Sequence, residues 1–210
     1  MTDFVWPSDL VPFQQEFWLQ PHTGGSESPF SRQAKVYGLT APRWICRMSF
    51  RGGYDGTTGI DAFGPRLDGA LAQLRGRQNR VSIFDFRRSS PRSPQWSRSA
   101  GNLAALQGAT SLTITGLQPG VKVYVGDYFG GDGRPHVFTS PDFSAIAATA
   151  NSSGQAAVSF EPPLSAAIGL NAAIFSEVRA MFRRTDDDAA NAVAVGELQQ
   201  IDISFVEDLA

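Results

Sequence analysis

The stretch VYVGDYFGGDGRPHVF, residues 123–138, combines residue types that can carry chemistry: four glycines, two aspartates and a histidine. A phosphate-binding loop needs the pattern G-x-x-x-x-G-K-[ST] followed by a helix, but Gly131 is followed by Asp132 and then by a strand-like segment. A calcium loop places oxygen ligands at alternate positions, whereas Asp127 and Asp132 are five residues apart. The stretch instead predicts a β-hairpin with residues 130–133 at its tip.

Nucleophilic and metal chemistry have little support in the rest of the chain. The G-x-S-x-G motif of serine hydrolases is absent. His136 and Asp127 could be combined with one of many serines into a triad, but any chain of this length offers such a set. Cys46, the only cysteine, lies between apolar residues and is predicted to be a buried thiol. With two histidines and one cysteine there are few soft ligands for zinc. We therefore expect no enzyme and no cofactor.

The clearest surface signal is a run of arginines. Residues 75–98 carry seven arginines and one aspartate, a net charge of +6. Arginine forms planar, bidentate contacts with carboxylates, which favours a protein interface over specific nucleic-acid binding. A GC-rich genome would also raise the arginine content, but it does not explain a net charge of +6 over residues 1–126 against −8 over residues 127–210. The candidate interface residues are Arg75, Arg77, Arg80, Arg87 and Arg88.

The spacing of apolar residues predicts a mainly β chain with one helix. Short apolar runs separated by 21 glycines and 13 prolines are typical of strands joined by turns. One segment has a helical period, because Phe63, Leu67, Leu71 and Leu74 share one helix face, which predicts a helix over about 61–75. Strands are predicted over residues 10–19, 33–39, 43–50, 80–86, 109–117, 121–129, 136–138, 145–150, 155–160, 172–178 and 198–207. Polar loops are predicted over 21–32, 87–102 and 184–192.

Two domains are predicted from this pattern. The loop 87–102 contains two prolines, five serines and four arginines, so it is unsuited to a packed core and marks a boundary. The alternation of Ile201, Ile203 and Phe205 makes the last segment a strand that needs pairing partners. We therefore expect residues 1–102 plus 197–210 to form one domain and residues 103–196 to form a second, inserted domain.

The arrangement of several segments resembles the distal tail and minor tail proteins of long-tailed bacteriophages. In the first half these are the run from Ser31-Arg32 to Trp44, a helix ending in LRGRQNR and the strand VSIFDF. In the second half they are SLTITGLQPG, VYVGDYF and SSGQAAVSFEPPLSAAI. The family often shows Gly-Asp-aromatic and then a G-x-A-x-V strand running into Pro-Pro-Leu; here these are Gly126, Asp127, Tyr128, Gly154, Ala156, Val158, Pro162, Pro163 and Leu164. The resemblance covers residues 30–165 loosely, and the loop 87–102 departs from it.

The resemblance implies a structural virion protein. It implies a β-sandwich-like, ring-forming domain with one helix, usually hexameric, and a second β-domain that is barrel-like, OB-like or galectin-like. The implied partners are other copies of the chain, the tail tube protein, and baseplate hub or tail fibre proteins. The implied location is the tail tip of the virion, after assembly in the host cytoplasm. The resemblance implies no catalytic residues in this chain. The chain has no apolar run of 18 residues and no leader-like N-terminus, so neither a membrane partner nor a signal peptide is expected.

Two other functions stay open at the level of sequence. The first is a β-sandwich module that binds carbohydrate or mediates host adhesion, because aromatic side chains can stack on sugars. The candidate aromatics are Trp18, Tyr37, Tyr54, Trp96 and Tyr128. The second is a hydrolase with an unrecognised site around His136. Oligomeric state separates the ring protein from the adhesion module, and point variants of His136 test the hydrolase.

Overall fold

The computed structural model describes residues 1–53, 63–93, 96, 100–187 and 198–209. Within these residues the chain is mainly β, with thirteen strands and one α-helix, which confirms the predicted fold class. The described strands form open sheets and close no barrel. No helix among the described residues is long and apolar enough to cross a membrane. The chain divides into two compact units, Met1–Ile83 with Met181–Ala210 (unit 1) and Phe84–Ala180 (unit 2).

The elements follow one another along the chain in this order: β1 (Asp3–Val5), β2 (Gln14–Glu27), β3 (Ala34–Gly53), α1 (Phe63–Leu74), β4 (Arg80–Phe84), a 3-10 turn (Phe86–Arg88), β5 (Gly101–Asn102), β6 (Ser111–Thr115), β7 (Lys122–Tyr124), β8 (Tyr128–Phe129), β9 (His136–Thr139), β10 (Ile146–Thr149), β11 (Ala156–Glu161), β12 (Arg179–Arg184) and β13 (Leu198–Glu207).

Unit 1 is built on a six-stranded sheet with the order β1-β4-β12-β13-β3-β2. The pairing of β1 with β4 is parallel, and β13 pairs antiparallel with both β12 and β3. The register between β13 and β3 runs from Leu198 opposite Gly53 to Val206 opposite Ile45. The C-terminal strand, β13, thus lies in the interior of a sheet whose two edge strands, β1 and β2, come from the N-terminal part of the chain.

The core of unit 1 follows the alternation of these strands. Cys46, Met48 and Phe50 of β3 are fully buried, and Cys46 is the buried thiol that its apolar neighbours predict. α1 packs on β3 through its apolar face, on which Leu67, Leu71 and Leu74 are buried. The predicted helix start at residues 61 and 62 lies outside the described residues. The helix ends where Arg75 and Gly76 adopt left-handed backbone angles, with φ of 49° and 62°.

One predicted loop in unit 1 is wrong. Residues 21–27, expected to be part of a polar loop, belong to β2, and β3 continues through the expected break at residues 40–42. The register changes between Gln20 opposite Arg43 and His22 opposite Thr40, so the ladder is irregular where Pro21 and Pro42 lie. Proline cannot donate to a ladder but is tolerated at a bulge, so these prolines are accommodated at the register change without ending the hairpin.

Unit 2 is β-sandwich-like, with a five-stranded sheet in the order β5-β6-β11-β9-β8 and a two-stranded sheet of β10 and β7. Both sheets contribute to one core: Leu112 and Ile114 come from β6, Val123 from β7 and Phe138 from β9. The alternating burial of β11, in which every second residue is buried, shows that one face of the larger sheet covers this core.

Unit 2 corrects three details of the predicted elements. The glycine-rich stretch is a hairpin, as predicted, but its strands are β8 and β9, while β7 pairs with β10. Residues 172–178, expected to be a strand, form only an isolated bridge between Ile174 and Gly130, and the strand follows at β12. The predicted boundaries at 102/103 and 196/197 lie at 83/84 and 180/181 instead, because residues 85–93 are bonded into unit 2.

The charge separation along the chain does not coincide with the two units. Unit 1 contains 11 basic and 14 acidic residues, a net charge of −3, and unit 2 contains 7 basic and 6 acidic residues, a net charge of +1. The acidic C-terminal segment folds back into the unit that holds most of the basic N-terminal part. The discontinuous topology therefore mixes charges that the linear sequence keeps apart.

Candidate interaction surfaces

The five predicted interface arginines are divided between the units. Arg75, Arg77 and Arg80 belong to unit 1, and Arg87 and Arg88 belong to unit 2. Arg75 is exposed, and its side chain has no hydrogen bond or ion pair with any described residue. Arg77 makes a long, exposed ion pair, with 3.7 Å between its Nε and Oδ1 of Asp187. Of the three predicted interface arginines in unit 1, Arg75 and Arg77 are therefore available to a partner.

Arg80 has a structural role inside unit 1. Its Nε and Nη2 donate to the two carboxylate oxygens of Asp3 at 2.8 Å each, across the parallel β1–β4 pair. The hydrogen bond from Arg80 lowers the pKa of the Asp3 carboxyl and in turn raises the pKa of the guanidinium. The carboxylate of Asp208 lies 3.6 Å from Arg80 Nη1 and also accepts from Arg183 at 2.8 Å. This arginine holds an edge strand in place.

Arg87 and Arg88 are bound within unit 2. Arg87 forms a two-point pair with the buried Asp85, with Nε to Oδ1 and Nη2 to Oδ2 both at 2.9 Å. Arg88 donates from Nη1 to the carbonyl oxygen of Gly126 at 2.7 Å and lies over the ring of Tyr128, 5.6 Å from its centroid. The hydroxyl of Tyr128 donates to Asp85 at 3.2 Å, and burial together with this carboxylate raises the pKa of the phenol to about 12.

A third arginine, Arg92, completes this arrangement. Its Nε donates to Oδ1 of Asp127 at 2.7 Å and its backbone N–H donates to Oδ2 at 3.1 Å. Its Nη2 also donates to the carbonyl oxygen of Val125, and its guanidinium lies over the ring of Tyr124. Arg92 was not among the predicted site residues, although the Gly-Asp-aromatic motif marked its partner. We call the set Asp85, Arg87, Arg88, Arg92 and Asp127 the arginine latch.

The second polar cluster joins Asp132, His136 and Ser165. Nε2 of His136 lies 2.8 Å from Oδ1 of Asp132, and its Nδ1 lies 2.6 Å from the carbonyl oxygen of Pro162. Both the hydroxyl and the backbone N–H of Ser165 donate to Oδ2 of Asp132, at 2.8 and 2.7 Å. Burial raises the pKa of Asp132, but the hydrogen bonds from His136 and Ser165 outweigh it and lower the pKa to about 2.

This cluster lacks the geometry of a hydrolytic triad. In such a triad the nucleophile lies within hydrogen-bonding distance of the imidazole. Here the aspartate stands between the serine and the histidine, and the second imidazole nitrogen faces a backbone carbonyl. His136 is fully buried, with Phe129 stacked on it and Phe160 at its edge. The other predicted partner, Asp127, is bonded to Arg92 instead. The arrangement ties the hairpin loop to the segment around Ser165.

The most exposed apolar surface of unit 1 lies on the paired ends of β2 and β3. Beyond the last pairing of β13 with β3, residues 20–43 form a hairpin that pairs with no other described strand, and we call it the β-arm. No residue of the β-arm whose side chain is described is buried. Its exposed fractions are 98% at Phe30, 71% at Val36, 55% at Tyr37 and 50% at Leu39.

The aromatics considered for sugar stacking have different surroundings. Trp18 lies under the guanidinium of Arg47, Tyr37 is exposed on the β-arm, and Tyr128 is buried in the arginine latch. Tyr54 lies outside the described residues. Trp96 is half-buried and lines a groove in unit 2.

Comparison with known proteins does not place the chain in a family: no family model matches it, and no curated protein sequence matches it. Among the described residues, no group of three or more histidine, cysteine or acidic side chains is arranged to hold a metal ion.

Proposed function

We propose that this chain is a structural subunit of the tail tip of a long-tailed bacteriophage, where six copies form a ring that joins the tail tube to the baseplate hub. The observation that carries the proposal is the β-arm, a long hairpin whose apolar side chains face solvent. The sequence resemblance supplies the biological setting, and the β-arm supplies a surface suited to assembly.

The β-arm has the properties of a segment that is completed by a partner. An isolated two-stranded hairpin is marginally stable in water, and its exposed row of backbone groups invites further pairing. Phe30 at the turn and Tyr37 on the strand are the kind of aromatic side chains that dominate interface energetics when they are buried. Contact with a neighbouring copy would cover them.

A ring also requires two different surfaces on each subunit, because its interfaces are heterologous. The β-arm is one candidate surface. Arg75, which is exposed and unpaired among the described residues, belongs to a second one, where a carboxylate of a neighbouring copy would be its partner. Exposed pairs of this kind contribute only about 0–1 kcal/mol each, so they select the register while apolar contacts supply most of the affinity.

Native mass spectrometry over a concentration series tests the proposal. The intact chain of 22.6 kDa is expected to form a discrete closed oligomer. A variant in which residues 23–39 are replaced by Asn-Gly joins His22 to its register partner Thr40 by a two-residue turn, and is expected to stay monomeric with an unchanged melting temperature. An intact chain that is monomeric at every concentration would contradict the ring.

A matched pair of point variants locates the contact. Phe30 and Phe143 are both almost fully exposed, at 98% and 97%, but only Phe30 is on the β-arm. Phe30→Ser is expected to weaken assembly, and Phe143→Ser to leave it unchanged. Equal effects of the two substitutions would show that the β-arm is not the interface.

A further inference from the structure

Unit 2 contains a groove of about 730 Å³, a size typical of small-molecule sites. The residues that matter for its chemistry are Ser90, Ser93, Trp96, Ile174, Phe175 and Ser176. The arginine latch, the buried histidine cluster and the β-arm contribute none of these side chains.

The aromatic part of the groove is held rigidly. The rings of Trp96 and Phe175 are 5.2 Å apart and tilted by 56°, and Trp96 also stacks on Phe138 at 6.3 Å and 26°. Phe138 is fully buried in the core of unit 2. The half-buried indole therefore rests on a fixed support, and an occupant would find the aromatic surface already in place.

The two walls of the groove are anchored by backbone contacts. On one side, Ile174 exchanges two hydrogen bonds of 2.8 Å with Gly130. On the other side, Arg92 fixes the segment that carries Ser90 and Ser93 through its bonds to Asp127. The N–H of Glu177 donates to the carbonyl oxygen of Ser89 at 2.7 Å and joins the two sides. The site is thus preformed.

The polar groups of the groove are uncharged. The indole N–H of Trp96 is buried and has no acceptor among the described residues, although buried indole N–H groups usually have one. Three serine hydroxyls stand around the aromatic surface, and no charged side chain belongs to the described lining. Arg88 and Arg92, which flank Ser90 in the sequence, are engaged by Gly126 and Asp127, and Arg98 lies outside the described residues.

We propose that this groove binds a neutral saccharide, with a sugar ring placed against Trp96 and Phe175 and its hydroxyls bonded to the serines. A sugar ring offers an apolar C–H face and a rim of hydroxyl groups, which matches this combination of aromatic surface and uncharged donors and acceptors. A wholly apolar occupant would leave the serine hydroxyls without partners, which costs free energy. A phosphorylated ligand would find no cation among the described lining residues. The inference is independent of the ring proposal.

The test uses isothermal titration calorimetry of the full chain with four neutral hexasaccharides as probes: cellohexaose, maltohexaose, xylohexaose and chitohexaose. We expect at least one of them to bind with a Kd of about 1 mM or lower, the range accessible to an open site of this size. Trp96→Ala should weaken that binding by about tenfold or more, as expected for the loss of a central aromatic contact.

Because Trp96 packs on the core, a second variant keeps the test valid if Trp96→Ala does not fold. Ser176 is exposed at the groove, so Ser176→Phe should fill the groove and abolish binding without unfolding unit 2. Ser152→Phe, at an exposed turn outside the groove, should bind as the intact chain does. The absence of binding by all four saccharides, or binding that Ser176→Phe leaves unchanged, would overturn the proposal. Binding of the neutral apolar dye Nile red alone, abolished by Ser176→Phe, would assign the groove to an apolar partner instead.

Discussion

Arg92 and Asp127 form a two-point contact in unit 2, with the guanidinium Nε 2.7 Å and the backbone nitrogen 3.1 Å from the two oxygens of one carboxylate. The side chain of Asp127 is 1% exposed, whereas that of Arg92 is 55% exposed. Arg92 belongs to the loop 87–102, which the sequence predicts to be a domain boundary. The contact bonds this loop to the Gly-Asp-Tyr motif at residues 126–128. A segment composed of arginine, serine and proline is therefore ordered at this point by one buried aspartate.

Removing the cation of this pair should destabilise unit 2. Arg92→Met leaves the buried carboxylate of Asp127 without its charged partner, so the free energy of unfolding of unit 2 is expected to fall by about 2 kcal/mol. Hydrogen exchange measured by mass spectrometry would report the change by unit. Arg47→Met, which removes an exposed pair with Glu16, serves as the control and should cost under about 1 kcal/mol. Equal hydrogen-exchange protection of unit 2 in the two variants would contradict a structural role for the arginine latch.

Asp132 should make unit 2 sensitive to acid. Its folded-state pKa is about 2, below the ordinary value of 3.8. A carboxyl group whose pKa is lower in the folded than in the unfolded state stabilises the fold. This stabilisation is fully present above the pKa of the unfolded state and is lost as the pH falls through the pKa of the folded state. About 2 kcal/mol should therefore disappear between about pH 4 and pH 2. Urea unfolding as a function of pH measures it, and Asp132→Asn should flatten the profile over this range. Parallel profiles for the two proteins would rule out this contribution.

Arg75 and Arg80 should behave differently when their charge is reversed. Arg75→Glu changes an exposed side chain without described partners and is expected to weaken assembly while the melting temperature stays the same. Arg80→Glu places a carboxylate beside Asp3 and Asp208, so it is expected to lower the melting temperature by releasing β1 from the sheet. Differential scanning calorimetry and native mass spectrometry separate the two effects. A loss of stability in Arg75→Glu would show an intramolecular role for that residue.

The C-terminal strand should be essential to unit 1. Phe205 of β13 is fully buried, with its ring edge against Trp6 at 6.0 Å. Phe205→Ala is expected to cost about 3–5 kcal/mol, because it removes a large core side chain from an interior strand. Leu39→Ala, on the exposed β-arm, should change stability by under about 0.5 kcal/mol. Hydrogen exchange should show the loss of protection in unit 1, and a loss confined to unit 2 would contradict the assignment of this strand.

Local patterns predicted the elements whose stability depends on nearby residues. The helical period of Leu67, Leu71 and Leu74 located α1, since these side chains must share one face to be buried. The strand alternation of Ile201 and Ile203 located β13 in the same way. The glycines at residues 130–133 predicted a hairpin because turns favour positive φ, which Gly131 and Gly133 adopt.

The sequence by itself determined the mainly β composition, the single described helix, the buried thiol and the turn around residue 130, because each depends on periodicity or on the backbone freedom of a few adjacent residues. Only the tertiary structure decided which charges meet. Arg80 joins Asp3, Arg92 joins Asp127, and His136 joins Asp132 and not Asp127. The first two pairings join residues that are 77 and 35 positions apart, and they depend on chain topology, which places β1 beside β4 and ties residues 85–93 to unit 2. A linear sum of charges contains no information on such long-range contacts.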